Sequence, residues 1–123
     1  MLRRSLDLLD PDFRPLVDKI LELIKEHNLP FYVFETLRSR ERQKELYGST
    51  SKTKLSKHMP NENGFSEAVD IVLKIDNKWT WDPEYIFYYD FLGKLVEFHL
   101  GDQIKWGGRF KNFYDGPHFE WRK

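Results

Sequence analysis

Ser56-Lys57-His58, Ala68-Val69-Asp70 and, near the end, Asp115-Gly116-Pro117-His118-Phe119-Glu120 bring together imidazoles and carboxylates able to do metal chemistry. Zinc accepts imidazole nitrogen and carboxylate oxygen at about 2.0–2.2 Å, and its catalytic sites typically join three protein ligands to a water. His58, Asp70 and His118 supply such a trio. An ion held there lowers the pKa of its water towards about 7, and a nearby carboxylate can take that proton and pass it to a leaving amine. Asp115 is the first candidate for this task, with Glu120 next. If 115–118 is a turn entering a strand, with Pro117 fixing the approach, Asp115 and His118 can face one cleft. This is the equipment of a zinc hydrolase.

Four segments, Glu35-Thr36-Leu37-Arg38-Ser39 with Arg42-Gln43, Ser56-Lys57-His58, Glu67-Ala68-Val69-Asp70-Ile71-Val72, and Trp106-Gly107-Gly108 with Asp115-Gly116-Pro117-His118-Phe119-Glu120, stand in one order. In that order they resemble the zinc peptidases of peptidoglycan, which include D-Ala-D-Ala carboxypeptidases, L-alanyl-D-glutamate endopeptidases and phage endolysins. The resemblance covers about residues 30–121. It implies that His58, Asp70 and His118 bind Zn2+ and that Asp115 is general base and acid. It also implies that Arg38 holds the scissile carbonyl or the developing oxyanion, and that Gln43 belongs to the same substrate pocket. The Trp-Gly-Gly and Asp-Gly-Pro-His segments favour L-alanyl-D-glutamate cleavage, a cell-wall-lytic activity, over D-Ala-D-Ala removal. Two features depart from the relatives: residues 59–67 lengthen the gap between His58 and Asp70, and Arg109 stands where the endopeptidases often carry Asp.

The elements that must position these residues read as α+β: one domain over 1–123, with a central antiparallel sheet, flanking helices and the zinc site at the sheet. Asp10-Pro11 is a cap and first-turn pair, after which Val17, Ile20, Leu21 and Ile24 recur at helical spacing to about 27–28. Residues 31–36 are aromatic and β-branched, as in a strand, and 39–47 return to helix-forming composition. Residues 48–57 read as loop and 68–75 as the central strand that delivers Asp70. Asp82-Pro83 opens a second amphipathic helix, ending near 100–101, with Tyr88, Phe91, Leu92 and Leu95 expected on one face. Residues 104–106 and 117–121 are expected as short strands. Trp106, Phe119 and Trp121 are expected to support the metal site and its pocket wall, and the aromatics over 79–91 to divide between core and a shelf over the second helix.

Plainer readings compete residue by residue. His27 at a helix end is explained by solvation or dipole contact, and His99, at helical spacing below Leu92 and Leu95, reads as a partly buried structural histidine. Asp70 can simply end a strand, and Asp115 can simply start a turn. Arg38 can pair with Glu41 or Glu45 on the following helix, and Gln43 can be an ordinary exposed helical residue.

The chain of 123 residues carries 20 basic and 20 acidic side chains and no cysteine. Disulfides and thiolate zinc sites are therefore excluded, and balanced charge gives no general pull towards nucleic acid or anionic membrane. One stretch, 38–57, holds seven basic and two acidic residues. The interleaved aromatics of a single-strand-binding surface are almost absent from it and no recognition-module signature appears, so no nucleic-acid partner is expected. No run approaches the roughly 20 apolar residues of a membrane span, and the first residues lack the apolar core of a signal peptide. The expectation is a monomer of phage or bacterial origin, made in the cytoplasm and acting on the peptide part of the wall after release. The rival is a zinc-stabilised wall-binding domain without turnover, which would have no need of Asp115 or Arg38.

Overall fold

The longest strand explains the rest of the architecture. In the computed structural model, which describes residues 2–47 and 56–123, the helices are α1 (Arg14–Glu26), α2 (Arg40–Leu46) and α3 (Ile86–Leu100). The strands are β1 (Phe31–Glu35), β2 (Ala68–Ile75), β3 (Lys78–Thr80), β4 (Ile104–Trp106) and β5 (His118–Trp121). They form one antiparallel sheet in the order β1-β2-β5-β4, with β3 paired to the far end of β2. The fold is α+β, as the alternation of helical and strand-like segments implied.

Strand alternation sorts β2 into two faces. Val69, Ile71 and Leu73 join Val17, Ile20 and Ile24 of α1 and Leu92, Val96 and Leu100 of α3 in the apolar core. Asp70 points the other way. His118 and Glu120 of β5 share its face, because Asp70 pairs with His118 and Ala68 with Glu120. Residues 119 and 121 alternate to the core side, where Phe119 is fully buried and Trp121 stacks on Phe13 with centroids 6.5 Å apart. The expectation that Phe119 and Trp121 wall the pocket is thereby corrected.

α1 begins at Arg14, later than Asp10-Pro11 suggested, because the Asp10 carboxylate accepts the amide of Asp12 and closes a turn first. Asn28 ends it with a left-handed φ of 54°. The buried face of α3 is also rotated from the expected one: Tyr89, Leu92, Gly93, Val96 and Leu100 are buried, whereas Phe91 is 49% exposed. Two contacts set that rotation. Tyr89 Oη accepts the amide of Leu73 at 3.1 Å and donates to the carbonyl of Thr80 at 2.6 Å, and Gly93 lies so close to Trp106 that a Cβ would fall 2.1 Å from the indole. His99 is exposed, its ring edge-on to Phe98, so it is no buried structural histidine. His27 is exposed at the end of α1 beside Phe91.

The hairpin joining β2 to β3 turns on Asp76 and Asn77, both at positive φ (51° and 65°), as a two-residue hairpin loop requires. The loop expected over 48–57 falls for the most part outside the described residues, as do Lys52 and Lys54 of the basic stretch. Among the described residues no helix is long and apolar enough to cross a membrane.

Candidate active site

β1 contains a bulge that builds one side of the site. Its register with β2 runs Phe31 to Leu73, Tyr32 to Val72 and Val33 to Ile71, then skips Phe34 and resumes with Glu35 opposite Asp70. The extra residue bends the strand and brings Glu35, Asp70 and His118 into one row across three strands.

His58 reaches this row from the chain outside the sheet. Its carbonyl accepts the amide of Arg38 at 2.7 Å, and its Nδ1 lies 2.8 Å from the carbonyl of Thr36. Nε2 is thus directed to Asp70 Oδ1, at 3.0 Å. From the other side His118 Nδ1 stands 3.3 Å from the same oxygen, while its Nε2 is 2.7 Å from Glu120 Oε1. One ligand atom from each of His58, Asp70 and His118 lies within 4.8 Å of the others. A tetrahedral zinc with ligand bonds of about 2.1 Å spaces its donors about 3.4 Å apart, close to the 3.0 and 3.3 Å found here. Each imidazole also has its second nitrogen held by an oxygen, the arrangement that fixes metal-binding histidines. The residues therefore fit zinc.

Charges in the row reinforce one another. Burial opposes ionisation of Asp70, but the charge and hydrogen bonds of His58 and His118 outweigh it and hold its carboxyl well below the usual range. Burial likewise opposes a charge on His118, yet its bonds to Asp70 and Glu120 push its pKa up to about 10. Asp115 behaves oppositely: burial, and then the charge of Asp70, raise its pKa. No hydrogen bond or ion pair engages its carboxylate among the described residues. Its backbone is placed by Gly107, whose carbonyl accepts the Asp115 amide at 3.0 Å and whose missing side chain leaves room; a Cβ there would stand 2.2 Å from the Asp115 carbonyl.

Arg38 is buried behind this group. It donates to Glu35 Oε1 at 2.7 Å and to Gln43 Oε1 at 2.8 Å, lies 3.6 Å from Asp70 Oδ2, and its Nε has no hydrogen-bond partner among the described residues. Glu35 also accepts from Arg42 Nε at 2.6 Å. Arg38 therefore pairs with the strand residue before it and not with Glu41 or Glu45. Gln43, 1% exposed, is no surface residue; Ser39 caps α2 by accepting the amide of Arg42, and the short helix turns Gln43 inward.

These side chains meet in a cleft of about 720 Å³, lined among others by His58, Asp70, His118, Asp115, Arg38 and Glu120. Its aromatic walls are Phe34, Trp81, Phe110 and Phe113. Trp106, expected there, is a core residue that reaches the site only by donating from Nε1 to the carbonyl of Gly116 at 2.9 Å. Glu120, the second candidate base, is engaged by His118. Arg109 turns away to pair with Glu97 at 2.9 Å. The extra residues between His58 and Asp70 fold into a turn around Asn61, whose side chain accepts from Asn63 and Phe65 and donates to Asp10 and Glu67. His58 and Asp70 still meet, at 3.0 Å.

Glu35 was missing from the candidates, although it begins the Glu-Thr-Leu-Arg-Ser segment. A lone glutamate at a strand end carries no signal until a bulge turns it inward. Of the basic stretch, Arg38 and Arg42 are spent on Glu35, and Lys57 donates to the Trp121 carbonyl at 2.9 Å.

A family model described as D-alanyl-D-alanine carboxypeptidase matches residues 49–121. The crystal structure of the Serratia marcescens L-Ala D-Glu endopeptidase ChiX superposes with a TM-score of 0.67 at 29% identity, covering 98% of this chain and 88% of that one. No curated protein matches the chain.

Proposed function

Because the chain belongs to the D-alanyl-D-alanine carboxypeptidase family, we propose that it is a zinc-dependent peptidase of peptidoglycan that hydrolyses the L-alanyl-D-glutamate bond of the stem peptide. The observation that carries this reading is the convergence of His58, Asp70 and His118 donors within 4.8 Å, in one cleft with Asp115.

His58, Asp70 and His118 would hold the zinc, which supplies Lewis acidity towards a water and the scissile carbonyl. Asp115 accepts the proton of the attacking water and returns it to the leaving amine. Burial and the neighbouring Asp70 charge raise its pKa above the ordinary aspartate value, the direction that favours holding the proton between the two transfers. Arg38 faces the developing oxyanion with a charge that needs no reorganisation, since Glu35 and Gln43 hold the guanidinium from two sides. Glu35 and Gln43 are thus positioning residues. Glu120 orients His118, and the Thr36 carbonyl orients His58.

The preference for the endopeptidase bond rests on the likeness to ChiX over nearly the whole chain, together with the Trp106-Gly107-Gly108 and Asp115-Gly116-Pro117-His118 segments. Removal of a terminal D-alanine is the second reading, favoured by the description of the family model. Mass spectrometry of fragments released from purified peptidoglycan distinguishes them. Peptides beginning with D-glutamate are expected; release of D-alanine alone would transfer the assignment to the carboxypeptidase.

A further inference from the structure

Beyond the zinc ligands, the face of the sheet that carries Asp70 continues into an aromatic surface. Tyr32 pairs with Val72 and Trp79 with Lys74, so both stand on the Asp70 face of β2. Phe34, the bulged residue, packs edge-on against Trp79 at 5.1 Å and Trp81 at 5.2 Å between ring centroids. Two cations brace the group: Arg4 lies 5.2 Å from the centroids of Phe34 and Trp79, and Lys74 lies 4.9 Å from that of Trp79. Trp81 nevertheless remains 53% exposed. It and Phe34 wall the same cleft as Asp70, His58 and Asp115.

Exposed aromatic surface joined to a polar cleft marks a binding site. Its extent limits the occupant. A wholly buried aromatic covers 150–250 Å², so a half-exposed Trp81 beside partly covered Phe34 and Trp79 falls well short of the roughly 800 Å² per partner in a stable protein interface. It matches one sugar ring, whose C–H face is apolar while its rim is polar.

Distance names the sugar. Thr80, the last residue of β3, pairs with Leu73, and Trp81 follows it into the cleft that holds Asp70, which sets its ring about two to three residues, or about 7–10 Å along β2, from Asp70. In peptidoglycan one alanine and a lactyl group separate the L-alanyl-D-glutamate bond from the muramyl ring, about 7 Å of extended chain. A D-Ala-D-Ala bond lies three further residues away, about 10 Å more. We propose that Trp81, backed by Phe34 and Trp79, stacks the N-acetylated amino-sugar ring that bears the stem peptide. The protein would then select glycan-linked stems over free peptides. This rests on the endopeptidase reading of the cleft.

The test compares a disaccharide-tetrapeptide with the same tetrapeptide lacking sugar, using zinc-loaded wild type, Trp81→Ala, Trp81→Phe and the distant surface variant Phe98→Ala. Wild type is expected to favour the sugar-bearing substrate by at least about tenfold in kcat/KM, chiefly through KM. Trp81→Ala should reduce that ratio to within about twofold, Trp81→Phe should restore most of it, and Phe98→Ala should leave it unchanged. An equal loss on both substrates would mean that Trp81 contacts the peptide, and an undiminished ratio would mean that it contacts nothing; either overturns the proposal. Calorimetric titration with the sugar-bearing substrate under chelation, where turnover is suppressed, reads the sugar contact independently of the bond cleaved. Wild type should bind at least about fivefold more tightly than Trp81→Ala there, and equal affinity overturns the proposal even if the bond is cut as expected. Product masses from the zinc-loaded reactions report the cleavage site separately.

Discussion

Glu35 holds the Arg38 guanidinium at 2.7 Å, whereas Asp70, the carboxylate opposite Glu35 across the strand pair, is 3.6 Å from it. The nearer acid restrains the arginine and leaves Asp70 available to the histidines. That division makes Glu35 a target in its own right.

Removing one partner from a buried ion pair costs about 3–5 kcal/mol, because the other charge stays buried and unmatched. Glu35→Ala should approach that loss in chemical denaturation, while Glu35→Gln, which retains an acceptor, should lose less. Burial opposes ionisation of Glu35, but hydrogen bonds from Arg38 and Arg42 outweigh it and lower its pKa. Its contribution to stability is therefore present above the ordinary glutamate range and is lost as pH falls through the lowered folded-state value. Denaturation between neutral and acid pH should show a shallower acid decline in Glu35→Gln than in wild type.

Zinc content checks the ligand assignment. Purified protein should bind about one ion per chain, and His58→Ala and His118→Ala should each lose most of it. Chelation should lower Tm in the wild type, since a ligand bound only to the native state stabilises it. Metal analysis showing unchanged zinc in both histidine variants would falsify the assignment.

Asp115→Asn should keep its zinc and its chelator-sensitive Tm while turnover falls about 10²–10⁴-fold, the range for a general acid-base group. Stopped assays on defined stem peptides, run beside metal analysis, separate the two effects. Near-normal turnover in the zinc-loaded variant would remove Asp115 from the chemistry.

Arg38→Lys conserves charge but loses the planar head that now spans Glu35 and Gln43. A loss of at least about tenfold in kcat/KM is expected, equivalent to roughly 1.4 kcal/mol. Lys44→Arg, on the exposed side of α2, should change little. If activity instead survives in Arg38→Lys and collapses with added salt, the arginine acts only as diffuse charge.

Gly107→Ala tests the placement of Asp115 from the backbone side. The new Cβ would stand 2.2 Å from the Asp115 carbonyl, so the 115–118 turn must move. Activity should fall more than tenfold, in line with the cost of displacing a catalytic group by about 1 Å, with zinc affinity falling as His118 follows.

That His58, Asp70, His118 and Asp115 meet in one cleft was legible because each sits in a run whose neighbours mark it. The central strand was legible from the β-branched and aliphatic residues between Ala68 and Leu73, broken only by Asp70. Other features depend on contacts between distant segments. The bulge at Phe34 has no local marker, so neither the inward turn of Glu35 nor the outward turn of Phe34 could be read. The buried face of α3 was displaced because Tyr88 and Phe91 look like core residues, yet Gly93 against Trp106 decides which side packs. β3 escaped notice although Asp76-Asn77 is a hairpin turn pair. Trp106, Phe119 and Trp121 flank Asp115 and His118 in sequence, but strand alternation and packing send them to the core.

The turn around Asn61 has an implication for how such sites diversify. Its ends are clamped, by the Arg38 amide on the His58 carbonyl and by the Glu67 amide on the Lys57 carbonyl at 2.9 Å, while Glu62, Asn63 and Gly64 at its tip are exposed. The interval between His58 and Asp70 is thus free to vary so long as both clamps survive. A pattern keyed to a fixed interval would pass over this chain. The tip is correspondingly a position where a guest segment, such as an affinity tag or a wall-targeting module, can be spliced without disturbing the donors.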